Sequence, residues 1–319
     1  MTQNKLWGLI AIINIVFLIL PSPASAEEAE LSFFKNKYRK QAQMPYSPAP
    51  PNRAGIKVGL RLMGGGFMLM KNDINDHLQG YNDYFNDIPG STVKSEFEPI
   101  KTGMDFSGEI LISFNPYLGI GIGSGYISAG KESMQEVHLP QNTLEATVYP
   151  KFSAIPVTLS LYFGIPVGRA VKIMFNAGGG YYMGKIDWEK YQITDSVHFY
   201  EETWSAKPEA LGFHGGLHFE FGFTRNSAFV IGAKGRYVKF KDISGNLEWE
   251  RRSPLFGNET VSEENAKLWY GTWKTWLTAN KYPGIIISED PSAYGWEKER
   301  EGEVNLSGII FQAGLKINF

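Results

Sequence analysis

From residue 54 onward, apolar and polar positions alternate with a period of two, and the alternation recurs in eight stretches. These lie at about 54–70, 103–115, 117–131, 146–165, 170–189, 207–224, 227–248 and 302–319, and each reads as a β-strand. The two faces differ in kind. In the sixth stretch Leu211, Phe213, Leu217, Phe219, Phe221 and Phe223 share one face, opposite Gly212, His214, Gly216, His218, Glu220 and Gly222. The last stretch repeats this, with Ile309, Phe311, Ala313, Leu315, Ile317 and Phe319 against Gly308, Gln312, Gly314, Lys316 and Asn318. Soluble sandwiches also alternate, but here one face is uniformly bulky while the other mixes glycine with charge. That is the pattern of a barrel wrapped in lipid around a polar interior, whereas a soluble barrel carries its bulky apolar side chains within. The stretches are long enough, since a tilted span needs roughly 9–11 residues. Aromatic residues near strand ends (Phe114, Tyr117, Tyr126, Tyr162, Phe163, Tyr181, Tyr237 and Phe319) suit interfacial girdles.

The connections alternate as well. Asn115-Pro116, the 166–169 turn and the 224–226 turn are short, while 71–102, 132–145, 190–206 and 249–301 are long. Outer-membrane barrels have short periplasmic turns, longer external loops and an even strand number. The expected fold is therefore all-β: an eight-stranded antiparallel transmembrane up-and-down β-barrel over residues 54–319, with long extracellular loops.

The first 53 residues belong to neither pattern. Residues 1–26 read as a secretory signal peptide, with Lys5 ahead of an apolar run from Leu6 to Leu20 and an Ala24-Ser25-Ala26 cleavage site. The run is shorter than the roughly 20 residues a membrane helix needs. Residues 27–53, with Lys35, Lys37, Arg39 and Lys40 followed by Pro45, Pro48, Pro50 and Pro51, read as a periplasmic Pro-rich linker.

Composition narrows the function classes. Lys+Arg 31 against Asp+Glu 33 leaves no basic surplus for nucleic acid. The absence of cysteine removes disulfide scaffolds, thiolate metal sites and Cys nucleophiles.

Three segments carry a family resemblance: the strand Ala154-Ile155-Pro156-Val157-Thr158-Leu159-Ser160, the strand Gly178-Gly179-Gly180-Tyr181-Tyr182, and the terminal Leu315-Lys316-Ile317-Asn318-Phe319. The chain resembles the small eight-stranded outer-membrane barrels of Gram-negative bacteria, of the OmpX, OmpW and OmpA-barrel type. The resemblance implies an outer-membrane location reached under a cleaved signal peptide, with outer-membrane lipid and lipopolysaccharide as surroundings. It also implies that the terminal Phe319 resembles the signal read by the outer-membrane assembly machinery. It does not select an activity, because such barrels include adhesins, narrow pores and lipid-modifying enzymes.

By the face assignment the lumen receives Lys57, Arg61, Asp105, Glu109, Lys172, His214, His218, Glu220, Lys234 and Arg236, with Lys316. An eight-stranded barrel is just wide enough for side chains to fill it, and buried charges require partners. A cross-lumen ion-pair plug is expected, with a narrow pore gated around Arg61, Arg236, Glu109 and Glu220 as the rival. Gly119, Gly121, Gly123 and Gly125 leave one inner face bare, giving either room for neighbouring long side chains or a water path. His214 and His218, four apart on a strand, stand roughly 13 Å apart, too far to share a zinc ion. No metal, no cofactor and no catalytic site are expected, because a lipid-modifying hydrolase needs an outward Ser and His.

In the fourth long connection, Ser262-Glu263-Glu264 is expected to cap a helix presenting Trp269, Trp273, Trp276 and Leu277 on one face. Those tryptophans are the candidate ligand contacts. The first connection is expected to hold a helix with Ile74, Leu78, Tyr81 and Phe85 on one face, and with Asp73, Asp76, Asp83 and Asp87 in no defensible calcium spacing. The reading is a monomeric porin-like or structural outer-membrane barrel, not an enzyme, with a narrow or plugged lumen. Its alternatives are a surface adhesin or receptor acting through the tryptophans, or an OmpW-like conduit for small apolar molecules.

Overall fold

The computed structural model describes residues 56–319 apart from 141, 169, 196–197, 255–256, 276–277, 279 and 291–295. The expected signal peptide, the whole of the linker, Trp276 and Leu277 lie outside the described residues. In chain order the elements are β1 (Lys57–Leu69), α1 (Asp73–Asp87), β2 (Thr92–Ser95), β3 (Thr102–Ser113), β4 (Leu118–Gly130), β5 (Ser133–His138) and β6 (Thr143–Pro166). There follow β7 (Val171–Thr194), β8 (Phe199–Ala206), β9 (Glu209–Gly222), β10 (Ser227–Phe240) and β11 (Ser244–Ser253). The last are β12 (Gly257–Lys274), β13 (Lys281–Ser288), β14 (Glu297–Glu301), β15 (Val304–Asn305) and β16 (Gly308–Asn318).

The sixteen strands among the described residues pair antiparallel in one sheet. Eight of them close a ring, in the order β1, β3, β4, β6, β7, β9, β10, β16 and back to β1. The tight turns lie at one end of the ring, and everything else is built on the other, distal, end. The ring strands match the eight expected stretches with two corrections. The seventh ends at Phe240 and not at 248, because Asp242 takes a left-handed backbone (φ 51°) that breaks the run. The eighth begins at Gly308 and not at 302.

The segments expected as long loops hold α1 and the other eight strands. β8, β11, β12 and β13 extend the sheet outward from the long upper half of β7, while β5 and β2 extend it from β6. The resulting distal cup wraps α1. Its core joins Ile74 and Leu78 of α1 to Phe152, Ile186, Trp188, Trp204, Leu247, Leu268, Ile285 and Ile287. Helix α1 forms as its pattern predicts. Asn72 caps it by accepting a hydrogen bond from Asn75 N at 2.8 Å, Asp73 and Asp76 sit at the positive end of its dipole, and Ile74, Leu78 and Phe85 are buried. Gly80 lets it approach β13, since a Cβ there would overlap the Pro283 carbonyl.

The polarity of the sheet inverts between ring and cup. Along β6 the outward positions are Glu145, Thr147, Tyr149, Lys151 and Ser153, then Ile155, Val157, Leu159, Leu161, Phe163 and Ile165. The inward positions change in the opposite sense, from Ala146, Val148, Phe152 and Ala154 to Thr158, Ser160 and Tyr162. On β7 the outward change falls between Met183 and Lys185, and Ile155 pairs with Met183 while Ser153 pairs with Lys185. On β4 it falls between exposed Tyr126 and Ser128, and Ser128 pairs with Ser153. The boundary therefore runs level across three neighbouring strands. Below it, Leu211, Phe213, Phe311 and Leu315 stand at 51–77% exposure in a belt of bulky apolar side chains.

Candidate functional site

Two places concentrate chemistry: the inside of the ring and a pocket in the cup. Inside the ring, β1 and β3 run side by side with Arg61 directly opposite Glu109, so their side chains meet as a cross-strand ion pair. Tyr162 reaches the same carboxylate from β6, donating to Glu109 Oε2 at 2.7 Å, and its hydroxyl also accepts from Arg61. It can cross the intervening strand because Gly121 is bare: a Cβ there would overlap the Glu109 carboxylate. In the glycine stripe of β4, neighbours' side chains thus fill the space over Gly121 and Gly123, while backbone of β3 lies against Gly119 and Gly125. Tyr162 itself, expected in an interfacial girdle, points inward and is 3% exposed.

Two further pairs span the ring. Arg236 Nη1 binds Asp105 Oδ2 at 2.6 Å and Arg236 Nε donates to the Leu306 carbonyl at 3.0 Å. Lys316 Nζ binds Glu220 at 3.0 Å. His214 Nε2 lies 2.9 Å from Ser160 Oγ, and His218 Nε2 lies 2.8 Å from the Gln312 amide. Ser160, Tyr162 and Gln312 were not among the expected network residues, though each sits at an inward position of the alternation that could have named it. Lys234 is half-buried at the lumen wall, and Lys172 is half-buried toward the tight-turn end. Lys57 stands on the same face as Arg61 at the first position of β1, at the tight-turn end of the ring, and is exposed there. The cavity left among these side chains measures about 40 Å³, room for roughly three waters.

The cup holds the larger space, a pocket of about 410 Å³. That lies within the roughly 300–1,000 Å³ of small-molecule sites. Its floor is Leu247 and Ile285–Ile287, and its walls carry Tyr81, Trp188, Tyr200, Trp249 and Trp296. The polar groups facing it are His77, Glu202, Arg251 and Glu263. His77, buried on α1, accepts from Ile285 N at 3.1 Å through Nδ1, and burial lowers its pKa to about 3, so it is neutral. Tyr200 donates to Glu202 at 2.6 Å. Burial raises the Glu202 pKa and the nearby Glu263 charge raises it further, against the opposing pull of the Tyr200 hydrogen bond. Arg251 spans to Glu259 at 2.6 Å.

The expected tryptophan helix is absent. Trp269 and Trp273 lie on strand β12, and their spacing of four, being even, suits one face of a strand as well as a helix. Trp269 Nε1 donates to the Ser288 carbonyl at 3.1 Å, and Trp273 packs against Tyr81, Tyr84 and Tyr282 at 4.8–5.7 Å between ring centroids. Both serve the joint between β12, β13 and α1. The aspartates of α1 are likewise engaged: Asp73 takes a two-pronged bond from Arg300 at 2.6 and 2.8 Å, and Asp87 accepts from Tyr282 at 2.7 Å and from Asn280 at 2.8 Å.

No protein-family model matches the chain, and no curated protein matches it. Among solved structures it is similar to the outer membrane protease OmpT from Escherichia coli, at 12% identity and a TM-score of 0.29, over 83% of this chain and 95% of that one. Against the expectation that the chain is not an enzyme, the similar structure is a protease. No residue role passes from that protein to this one.

Proposed function

We propose that the chain is an integral outer-membrane protein. Its ring is an eight-stranded transmembrane barrel of the small outer-membrane type, closed to solutes by its own side chains, and its cup faces the cell exterior. One observation carries this reading: the level inversion of polarity on β4, β6 and β7. Below it, the outward apolar positions of β6 run from Ile155 to Ile165. Ten steps of roughly 3.4 Å, tilted by about 45°, give about 24 Å, and the lipid-facing band of such barrels is about 25 Å tall. Each exposed aliphatic or aromatic side chain would otherwise leave about 1.5–3 kcal/mol of burial unrealised.

Residues 1–26 act as the cleaved export signal, 27–53 as the periplasmic linker, and Phe319 as the mark read by the assembly machinery. The barrel works as a monomer among outer-membrane lipid and lipopolysaccharide. Its lumen is plugged by the pairs Arg61–Glu109, Arg236–Asp105 and Lys316–Glu220, which supports a structural or receptor role over an open pore. Recording current through the refolded protein in planar bilayers tests this. Wild type should carry no current, and Arg61→Ala and Glu109→Ala should each introduce a leak. A steady wild-type current whose ion selectivity follows those two residues would mean the lumen is a path.

A further inference from the structure

We propose that the pocket of the cup binds an organic cation with an apolar or aromatic body, held between the carboxylates of Glu202 and Glu263 and the faces of the surrounding aromatic rings. This goes beyond the barrel reading and stands whether or not the ring conducts.

The argument begins with the charge of the lining. Two carboxylates, Glu202 on β8 and Glu263 on β12, flank β11 and face one space. Of the basic groups facing the same space, His77 is neutral and Arg251 is already joined to Glu259, its guanidinium lying 6.0 Å from the Trp249 ring centroid. With Arg251 matched by Glu259, the two carboxylates leave the pocket net negative, and burial, with the repulsion from Glu263 added to it, raises the Glu202 pKa. A bound cation relieves that repulsion, whereas an anion would add to it.

The shape of the lining adds to its charge. Trp249 and Tyr200 lie 6.1 Å apart at 31°, forming one aromatic wall, and Trp188 stands against His77 at 5.8 Å on the other side. The negative faces of tryptophan and tyrosine rings attract a cation within about 6 Å, more strongly when water is excluded. The isoleucine and leucine floor is suited to an apolar body, and the volume of about 410 Å³ exceeds what a bare metal ion needs.

The test uses the full-length protein in a nonionic polyether detergent, which carries neither an ammonium group nor a sugar. Benzyltrimethylammonium is titrated by calorimetry beside benzyl alcohol, its neutral counterpart, and maltotriose. We expect benzyltrimethylammonium to bind at least tenfold more tightly than benzyl alcohol and maltotriose to give no heat. Glu202→Gln combined with Glu263→Gln should weaken the cation at least tenfold while sparing benzyl alcohol. Trp249→Leu, with no carboxylate altered, should weaken it several-fold. Equal binding of cation and neutral probe, maltotriose binding in place of the cation, an unaffected double variant with the native far-ultraviolet spectrum, or no binding to the wild type would each overturn the proposal.

Discussion

The ring and the cup share the long strands β6 and β7 but follow opposite rules. In β6, Ala146, Val148 and Phe152 point into a packed apolar core, while a few residues on, Ser160 and Tyr162 point into a charged interior and Leu159 and Leu161 point out. Nothing in the backbone changes, because pairing with β7 runs from Glu145 to Pro166 with only one irregularity. On the reading proposed above, what changes is the solvent. In the cup, water outside puts apolar groups within. In the ring, on the barrel reading proposed above, lipid outside would remove that drive and leave paired charges as the interior filling. The lesson is that residue type at one strand face reports what lies outside as much as what lies inside.

The comparison can be broken most severely in the ring. Removing Arg236 leaves Asp105, 3% exposed, as an uncompensated buried charge, which costs about 3–5 kcal/mol. We expect Arg236→Ala to lower the urea midpoint sharply, and Arg236→Met with Asp105→Leu to recover much of the loss. In the cup the matching lesion is a cavity. Leu78→Ala, at a fully buried helix position, should cost about 2–5 kcal/mol. Hydrogen exchange should then rise in α1 and β13 and stay unchanged in the ring strands, whereas exchange rising equally in both would mean they open as one unit.

Acid should separate the two regions further. The unfolded cup binds a proton at His77 near 6.5, and the folded cup only near 3. Stability is therefore present above 6.5 and falls as pH drops, by about 2 kcal/mol at pH 5. Glu202 acts with the opposite sign, because a raised carboxylate pKa favours folding at lower pH. His77 sits on α1 and Glu202 on β8, so acid should loosen α1 through His77, and His77→Gln should flatten the pH dependence of its exchange. The smallest effect is expected at the rim, where Lys131 pairs with Glu98 in water. Lys131→Ala should leave the urea midpoint close to that of the wild type.

The ring was legible in the sequence because period-two alternation between bulky apolar and small or charged residues survives over each whole strand, and because the short and long connections alternate. Partner choice inside it was only partly legible. Arg61 and Glu109 meet because they are opposite in register, but Arg236 selects Asp105 and Glu220 selects Lys316 across strands whose spacing the one-dimensional pattern does not hold. The cup was mostly hidden. Its strands carry polar outward faces and short runs, so β5, β8 and β11 resemble loops, and Trp269 and Trp273 satisfy both helix and strand spacing. Its pocket assembles Glu202, Trp249 and Glu263 from three strands, and the sequence pattern singled out only Glu263, in an expected helix cap that is a strand instead.

The central claim is that lipid surrounds the ring and water surrounds the cup, and the absence of cysteine allows a direct measurement. Single cysteines at Phe213, Leu315 and Leu159 on the belt, and at Ser262 and Lys151 above the boundary, can be exposed in intact outer membranes to a charged maleimide that does not enter lipid. The account predicts rapid labelling at 262 and 151 and none at 213, 315 and 159 until the membrane is dissolved in denaturant. Labelling of the three belt positions at the rate of Ser262→Cys would contradict it.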